Sequence, residues 1–329
     1  MPARPGSKPG MSEPTQATAD LPGVPVRAYA PRRCSRSLFV ELRGLRHHVR
    51  LWGEPDRNPL VMIHGAADAS ATFQFLVDAM SDEWSVIAPD LRGYGLSGWA
   101  AGGYAFADYL ADLDGILTHL FGERSVPLLG HSLGGNVACL YAGIRPERVA
   151  RLVSLDGFGL PDRNPSEAPE HLRRWLNSWV NPPSGSRVYA DPVEMAGRLR
   201  LANPRLDEAR ALFLAEHLGR AVPGGLTWAF DPAHRRAFAA MFRAAEWEAC
   251  VSRIAAPVLW IGSGSTFPPA LDKEPGTLER RIELARATFR RVPGTGHNLH
   301  HDAPEAVAGL VDAFLAGRLS DADEIAGDQ

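Results

Sequence analysis

A serine flanked by glycines is the feature of this sequence that could do chemistry. Gly130, Ser132 and Gly134 form a G-x-S-x-G pattern between the apolar run 126–129 and the helix-forming run 136–142. Glycines at both ends leave room for a strained strand-to-helix turn that exposes the serine hydroxyl. The pattern predicts a nucleophilic serine, although ordinary strand-to-helix turns in glycine-rich chains can also match it.

A serine hydroxyl needs a base to remove its proton, and the base needs a carboxylate to orient it. His297 follows the strand-like run 288–292 and precedes the terminal helix, so it is the predicted base. Asp156 ends an apolar run and is followed by glycine, which predicts a carboxylate at the reacting end of a strand. Asp-Gly is also common turn chemistry, and Asp272 stays open as an alternative acid.

Acyl transfer also requires two backbone N–H groups that stabilise a developing oxyanion. Leu133 directly follows the serine at a predicted helix start, so its N–H is the first candidate. Ala66 follows His64 and Gly65 at the end of a buried run, and its N–H is the second candidate.

The histidines near the carboxyl end raise the alternative of a metal site. His297, His300, His301 and Asp302 lie close together in the chain. Their spacing does not match the common zinc motifs. The prediction is therefore that the protein uses no metal and no cofactor.

Short apolar runs alternate with helix-forming segments along most of the chain. A hairpin is predicted at 37–42 and 45–52, and buried strands are predicted at 59–65, 84–90, 126–130, 149–156 and 257–262. Helices are predicted at 71–80, 106–121, 133–144 and 304–316. This alternation predicts an α/β fold, with a mostly parallel central sheet covered by helices on both faces.

The alternation stops between residues 157 and 250, which predicts an inserted helical cap over the carboxyl ends of the strands. Four tryptophans in this segment favour a pocket for apolar or aromatic groups, although each could instead pack inside the cap: Trp175, Trp179, Trp228 and Trp247. The predicted division of the chain is a flexible leader at 1–35, a core at 36–156 and 251–317, the cap at 157–250, and an acidic tail at 318–329.

Composition and charge argue against several classes of function. The net charge is −3 over 329 residues, and Lys and Arg are scattered, so a nucleic-acid partner is not predicted. No run approaches the ~18 apolar residues of a membrane span. Three widely spaced cysteines and the lack of a signal-peptide pattern predict a cytoplasmic protein, and the oligomeric state stays open.

Together these motifs resemble those of the α/β-hydrolase fold superfamily. The resemblance rests on His64-Gly65, the stretch 90–97, the pentapeptide 130–134 and Gly296-His297, and it spans most of residues 37–316. It implies that Ser132 is the nucleophile, that His297 is the general base and then acid, and that 157–250 is the cap. It also implies that 90–97 shapes the floor of the site without taking part in catalysis.

One departure from the family pattern bears on the acid. Many members carry the acid after the fifth buried run, where this chain has Ser265. Other members carry it after the preceding run, where this chain has Asp156. The serine at position 132 also differs from the aspartate nucleophile of similar epoxide hydrolases and haloalkane dehalogenases.

The expected reaction is hydrolysis of a small to medium-sized carboxylic ester, thioester or lactone through an acyl-enzyme, with an apolar or aromatic substrate. Acyl transfer, perhydrolysis and carbon–carbon bond hydrolysis with the same triad stay open. The glycine-rich loop of similar carbon–carbon hydrolases is absent, since Ala66-Ala67-Asp68 follows Gly65. A ligand-binding protein with weak catalysis is the alternative from another class.

Overall fold

The computed structural model describes residues 27–183, 185–264 and 275–319. Ten strands occur in this part of the chain: β1 (Arg36–Leu42), β2 (Leu45–Trp52), β3 (Pro59–Ile63), β4 (Ser85–Pro89), β5 (Val126–His131), β6 (Val149–Leu155), β7 (Gly219–Val222), β8 (Gly225–Trp228), β9 (Val258–Gly262) and β10 (Ala287–Arg291).

Ten α-helices accompany the strands in the same described ranges: α1 (Gln74–Ala79), α2 (Phe106–Phe121), α3 (Leu133–Ile144), α4 (Ala168–Val180), α5 (Pro192–Ala202), α6 (Glu208–Leu218), α7 (Ala244–Val251), α8 (Thr277–Ala285), α9 (Leu299–Asp302) and α10 (Pro304–Leu315).

Eight of the strands form one central sheet in the order β1-β2-β4-β3-β5-β6-β9-β10. The first two pairings, β1 with β2 and β2 with β4, are antiparallel, and the remaining pairings are parallel. The parallel arrangement aligns the carboxyl ends of β3, β5, β6 and β9 at one edge of the sheet. The predicted fold class, an α/β fold with a mostly parallel sheet, is therefore confirmed.

Apolar side chains cover both faces of this sheet. On one face, Ile116 of α2 and Val137 of α3 belong to a buried cluster that includes alternate residues of the central strands. On the other face, Leu76 of α1 and Val311 of α10 pack with the remaining strand residues. Burial on both faces explains why the central strands read as continuous apolar runs in the sequence.

Two segments differ from the sequence prediction. The predicted helix at 71–80 is a 3₁₀ turn, Ser70–Phe73, followed by the short α1. The segment 157–250 contains the antiparallel hairpin β7–β8 in addition to helices α4 to α7. The dipeptide Pro223-Gly224 between the two strands is a common turn signal, and it could have indicated this hairpin.

The described end of the predicted leader packs against α1. The Tyr29 hydroxyl donates a hydrogen bond to Asp78 at 2.9 Å, and its ring meets the edges of Phe75 and Phe213. The rest of the predicted leader and most of the acidic tail lie outside the described residues. Within the described ranges, none of the helices has both the length and the apolar character that crossing a membrane requires.

Candidate active site

The candidate nucleophile lies on the turn between β5 and α3. Ser132 has φ 51° and ψ −113°, a conformation that L residues rarely adopt. Its N–H donates to the carbonyl of Leu155 on β6 at 2.8 Å. A Cβ on Gly130 would overlap the carbonyl of Gly134, and a Cβ on Gly134 would overlap that of Ile63. Close packing around the turn therefore requires both glycines and stabilises the strained serine.

The predicted base and acid lie in one hydrogen-bonded line with this serine. His297 Nε2 is 2.9 Å from Ser132 Oγ, and His297 Nδ1 is 3.2 Å from Asp156 Oδ2. The Asp156 side chain is fully buried, and its Oδ1 accepts the N–H of Ser263 at 2.8 Å. A carboxylate in this position favours the tautomer with Nδ1 protonated, which leaves Nε2 able to accept a proton from serine.

The predicted oxyanion donors lie on both sides of the serine. Leu133 is the first residue of α3, so its N–H has no acceptor within the helix. Gly65 packs so closely that an added Cβ would lie 3.3 Å from Ser132 Cβ, which brings the following Ala66 beside the nucleophile. Ala66 and Ser132 line the same cavity. Both residues therefore lie close to Ser132, and their role as oxyanion donors stays a prediction.

The sequence analysis missed the residue that supports the histidine loop from the core. His131 Nε2 donates to the carbonyl oxygen of His297 at 2.9 Å. Burial, together with the neighbouring His297, holds the pKa of His131 well below its ordinary range, so the ring is neutral. A histidine that ends a buried strand directly before the serine was the available signal.

The segment 157–250, which the sequence predicts to be the cap, supports the same loop from the other side. Arg205 Nε donates to the carbonyl of Gly294 at 2.8 Å. Asp302 accepts from Gly296 N at 2.8 Å and from Asn203 Nδ2 at 2.7 Å. Asp302 therefore connects the cap to the loop that carries His297. Both of its carboxylate oxygens are engaged in these contacts, so it is not free to bind a metal ion together with the neighbouring histidines.

The stretch 90–97 is held in place by hydrogen bonds to Asp90, and its role as the floor of the site stays a prediction, because none of its residues is among those that line the cavity. The carboxylate of Asp90 accepts from Ser70 N at 2.7 Å and Leu96 N at 2.8 Å, and it contacts His48 Nδ1 at 2.7 Å. Burial alone would raise the pKa of Asp90, but the interactions with His48, together with those of His64 and the Leu96 N–H, outweigh it and lower the pKa to about 2. These contacts show that Asp90 holds the loop 90–97 in place. None of them involves Ser132.

A cavity of about 370 Å³ opens onto the serine between core and cap. The core contributes Ser132, His297 and the loop after β3, and the cap contributes mainly apolar side chains: Leu199, Leu206, Leu214, Leu218, Trp228 and Phe230. This volume lies at the lower end of the range for small-molecule sites. The apolar side of the cavity suits a compact apolar group of a ligand, and the polar side contains Ser132 and His297.

The four tryptophans predicted to favour an apolar pocket have different positions. Trp228 lines the cavity. Trp247 is buried and packs near Trp260 of β9, with ring centroids 6.3 Å apart. Trp175 and Trp179 form an edge-to-face pair on α4. Among these four, only Trp228 lines this cavity; Trp247 packs against the core strand β9 and Trp179 is 41% exposed, so neither of them packs inside the predicted cap as the alternative had it.

A histidine of the cap is inserted into the core beside the site. The ring of His234 stacks between Tyr94 and Tyr104, with centroid distances of 3.9 and 3.7 Å. Its Nε2 donates to the carbonyl of Arg92 at 3.1 Å, and its Nδ1 lies 3.3 Å from the Tyr109 hydroxyl. Burial lowers the pKa of His234 from its ordinary 6.5 to about 4, despite the nearby Asp231 carboxylate.

His234 is therefore expected to make folding stability depend on pH. Because its folded-state pKa is depressed, the unfolded chain binds the extra proton first, and stability falls as pH decreases from about 6.5 to about 4. Urea unfolding should show that the wild-type protein loses about 2 kcal/mol more than His234→Phe between about pH 7 and about pH 4.5. Phenylalanine keeps the stacking and cannot titrate, so equal losses in both proteins would contradict the prediction.

The alternative acid, Asp272, lies outside the described residues. Within the described ranges, the group of His, Cys, Asp and Glu whose ligand atoms come close enough for a metal ion consists of Asp68, His300 and His301. This group differs from the metal set that the sequence suggested, because His297 faces Ser132 and Asp156 instead.

Comparisons with known proteins agree with this architecture. A model of the α/β hydrolase fold matches residues 58–304. The chain is 29% identical over 293 residues to a serine hydrolase-like protein of Danio rerio, covering 86% of this chain and 88% of that protein. It is 28% identical over 282 residues to a probable serine hydrolase of Drosophila melanogaster, covering 81% and 83%.

A solved structure of a hypothetical protein from Pseudomonas aeruginosa is also similar. It superimposes with a TM-score of 0.76 at 27% identity, covering 85% of this chain and 99% of that chain. The similarity therefore includes the segment between the two halves of the core as well as the core itself.

Proposed function

We propose that this chain, which belongs to the α/β hydrolase fold family, is a serine hydrolase that cleaves carboxylic esters, thioesters or lactones through an acyl-enzyme. The observation that carries the proposal is the line of contacts Ser132 Oγ to His297 Nε2 at 2.9 Å and His297 Nδ1 to Asp156 Oδ2 at 3.2 Å. These distances lie within reach of the proton transfers that serine acylation needs.

In the first half-reaction, Ser132 Oγ attacks the carbonyl carbon while its proton passes to His297 Nε2. The buried carboxylate of Asp156 stabilises the resulting imidazolium, and the N–H groups of Leu133 and Ala66 stabilise the oxyanion. The imidazolium then protonates the leaving group as the carbon–oxygen or carbon–sulfur bond breaks. The acyl group stays on the serine.

In the second half-reaction, water attacks the acyl-enzyme and gives up a proton to His297. The tetrahedral intermediate collapses, the carboxylic acid leaves, and Ser132 regains its proton. The apolar cap wall around Trp228 and Phe230 favours substrates whose acyl or alcohol part is compact and apolar or aromatic.

An activity probe tests this proposal directly. A fluorophosphonate reacts rapidly only with an activated serine, so we expect stoichiometric labelling at neutral pH, with peptide mass spectrometry assigning the adduct to Ser132. Absence of rapid labelling, or labelling at another serine, would contradict the proposal and favour a ligand-binding protein with little catalysis.

Product analysis separates hydrolysis from acyl transfer. With an aryl ester and an added short-chain alcohol, a hydrolase releases mainly the free acid, whereas an acyltransferase yields mainly the new ester. A panel of esters, thioesters and lactones that vary in acyl length and ring content then identifies the preferred bond and group by kcat/KM.

A further inference from the structure

A cluster of polar side chains lies in the cavity wall behind the proposed triad, and the proposed reaction does not use it. Asp68 follows β3, and His300 and His301 lie on α9. His300 is 0% exposed and His301 is 5% exposed. One candidate ligand atom from each of these three residues lies within 4.8 Å of the others.

The buried imidazoles of this cluster have unsatisfied nitrogen atoms. Both ring nitrogens of His300 and the Nε2 of His301 have no hydrogen-bond partner within the described part of the chain. Leaving a buried polar group without a partner typically costs about 1–3 kcal/mol per group. One nitrogen of each ring is therefore available to bind an ion.

The cluster has an opening through which an ion can enter. Asp68 and His301 line the cavity that also contains Ser132. The wall behind them is rigid, because the His300 ring packs 4.4 Å from His131 and 5.4 Å from Phe73 between ring centroids. The two imidazoles are therefore held in place, and the half-buried Asp68 carboxylate accepts a hydrogen bond from Ala69 N at 2.9 Å.

We propose that Asp68, His300 and His301 bind a divalent transition-metal ion, with Zn²⁺ as the best-suited class. Two neutral imidazoles and one carboxylate are a common donor set for this ion, and the cavity leaves the fourth position open to water. Ligands around Zn²⁺ lie at about 2.0–2.2 Å from the ion, which puts neighbouring donor atoms about 3.3 Å apart. Binding therefore requires the three groups to approach by up to about 1.5 Å, and Asp68 would exchange its hydrogen bond from Ala69 N for the ion.

The site is separate from the proposed catalytic chemistry. His297 and Asp156 contact each other and are not members of the cluster. The proposal therefore does not rest on the hydrolase function, and its test measures ion binding rather than turnover.

Isothermal titration calorimetry of the full chain, without an affinity tag, tests the proposal with ZnCl₂ in a non-chelating buffer. We expect one ion per chain for the wild-type protein. Asp68→Asn, which keeps the size of a half-buried side chain, should weaken binding by on the order of 100-fold, and His300→Phe, which keeps an aromatic ring at its position, should do the same. His119→Asn removes an exposed histidine and should leave the binding constant unchanged.

Cobalt substitution provides a second readout. Bound Co²⁺ should give the intense visible absorption of a four-coordinate site in the wild-type protein and lose it in Asp68→Asn. Lack of saturable binding by the wild-type protein would overturn the proposal. So would binding that survives both Asp68→Asn and His300→Phe but is lost in His297→Gln, since that result would place the ion at the proposed triad.

Discussion

Replacing Ser132 by alanine is expected to lower kcat/KM for a short aryl ester by about 10⁴- to 10⁶-fold. The variant keeps the oxyanion donors and the apolar cavity but has no atom that can form the acyl-enzyme. The measurement is the initial rate of nitrophenol release from an acetate or butyrate ester, corrected for the reaction without enzyme.

The matched control for this variant is Ser166→Ala, which removes an exposed serine of the cap outside the cavity lining. It should keep the wild-type rate. Thermal unfolding should show that both variants fold, since alanine at 132 removes only one oxygen atom. If the rate of Ser132→Ala were within tenfold of the wild-type rate, Ser132 would not be the nucleophile.

Replacing Asp156 by asparagine is expected to lower kcat/KM by about 10³- to 10⁴-fold while the protein stays folded. Asp156 has φ 46°, and asparagine tolerates this left-handed region better than most residues. With its amide oxygen toward Ser263 N–H, the side chain presents N–H to His297 Nδ1. The imidazole then carries its proton on Nε2, where it cannot accept the proton of Ser132.

Asp56→Asn makes the same chemical change on an exposed surface loop and should leave the rate unaltered. The loss in Asp156→Asn should appear mainly in kcat, because the cavity that binds the substrate is unchanged. Near-wild-type turnover by Asp156→Asn would show that another carboxylate orients His297, and Asp272 would be the first to test.

The sequence allowed much of the fold to be predicted because the relevant signals are local. The predicted helices 106–121 and 133–144 agree with α2 and α3 at both ends. The central strands were visible as apolar runs, since burial on both faces removes the alternation of a half-exposed strand. The hairpin β7–β8 was missed because its four-residue strands are neither long nor buried enough to leave such a pattern.

The supports of the histidine loop could not be found in the same way. The contact between His131 and His297 joins residues 166 positions apart, and the contact between Asn203 and Asp302 spans 99 positions. Such contacts depend on how the cap docks and how strands align, which have no signature in residue spacing.

By itself, the sequence determined the alternation of buried strands and helices, the glycine-bounded turn at Ser132, and the positions of His297 and Asp156 at the ends of apolar runs. These properties follow from backbone sterics and from the burial of neighbouring side chains, which act over a few residues. Only the tertiary structure decided that the hydroxyl, imidazole and carboxyl groups meet, that cap residues line their cavity, and that Asp68 lies beside His300 and His301. The physical reason is that these contacts arise from packing between distant segments, where shape complementarity rather than local propensity selects the partners.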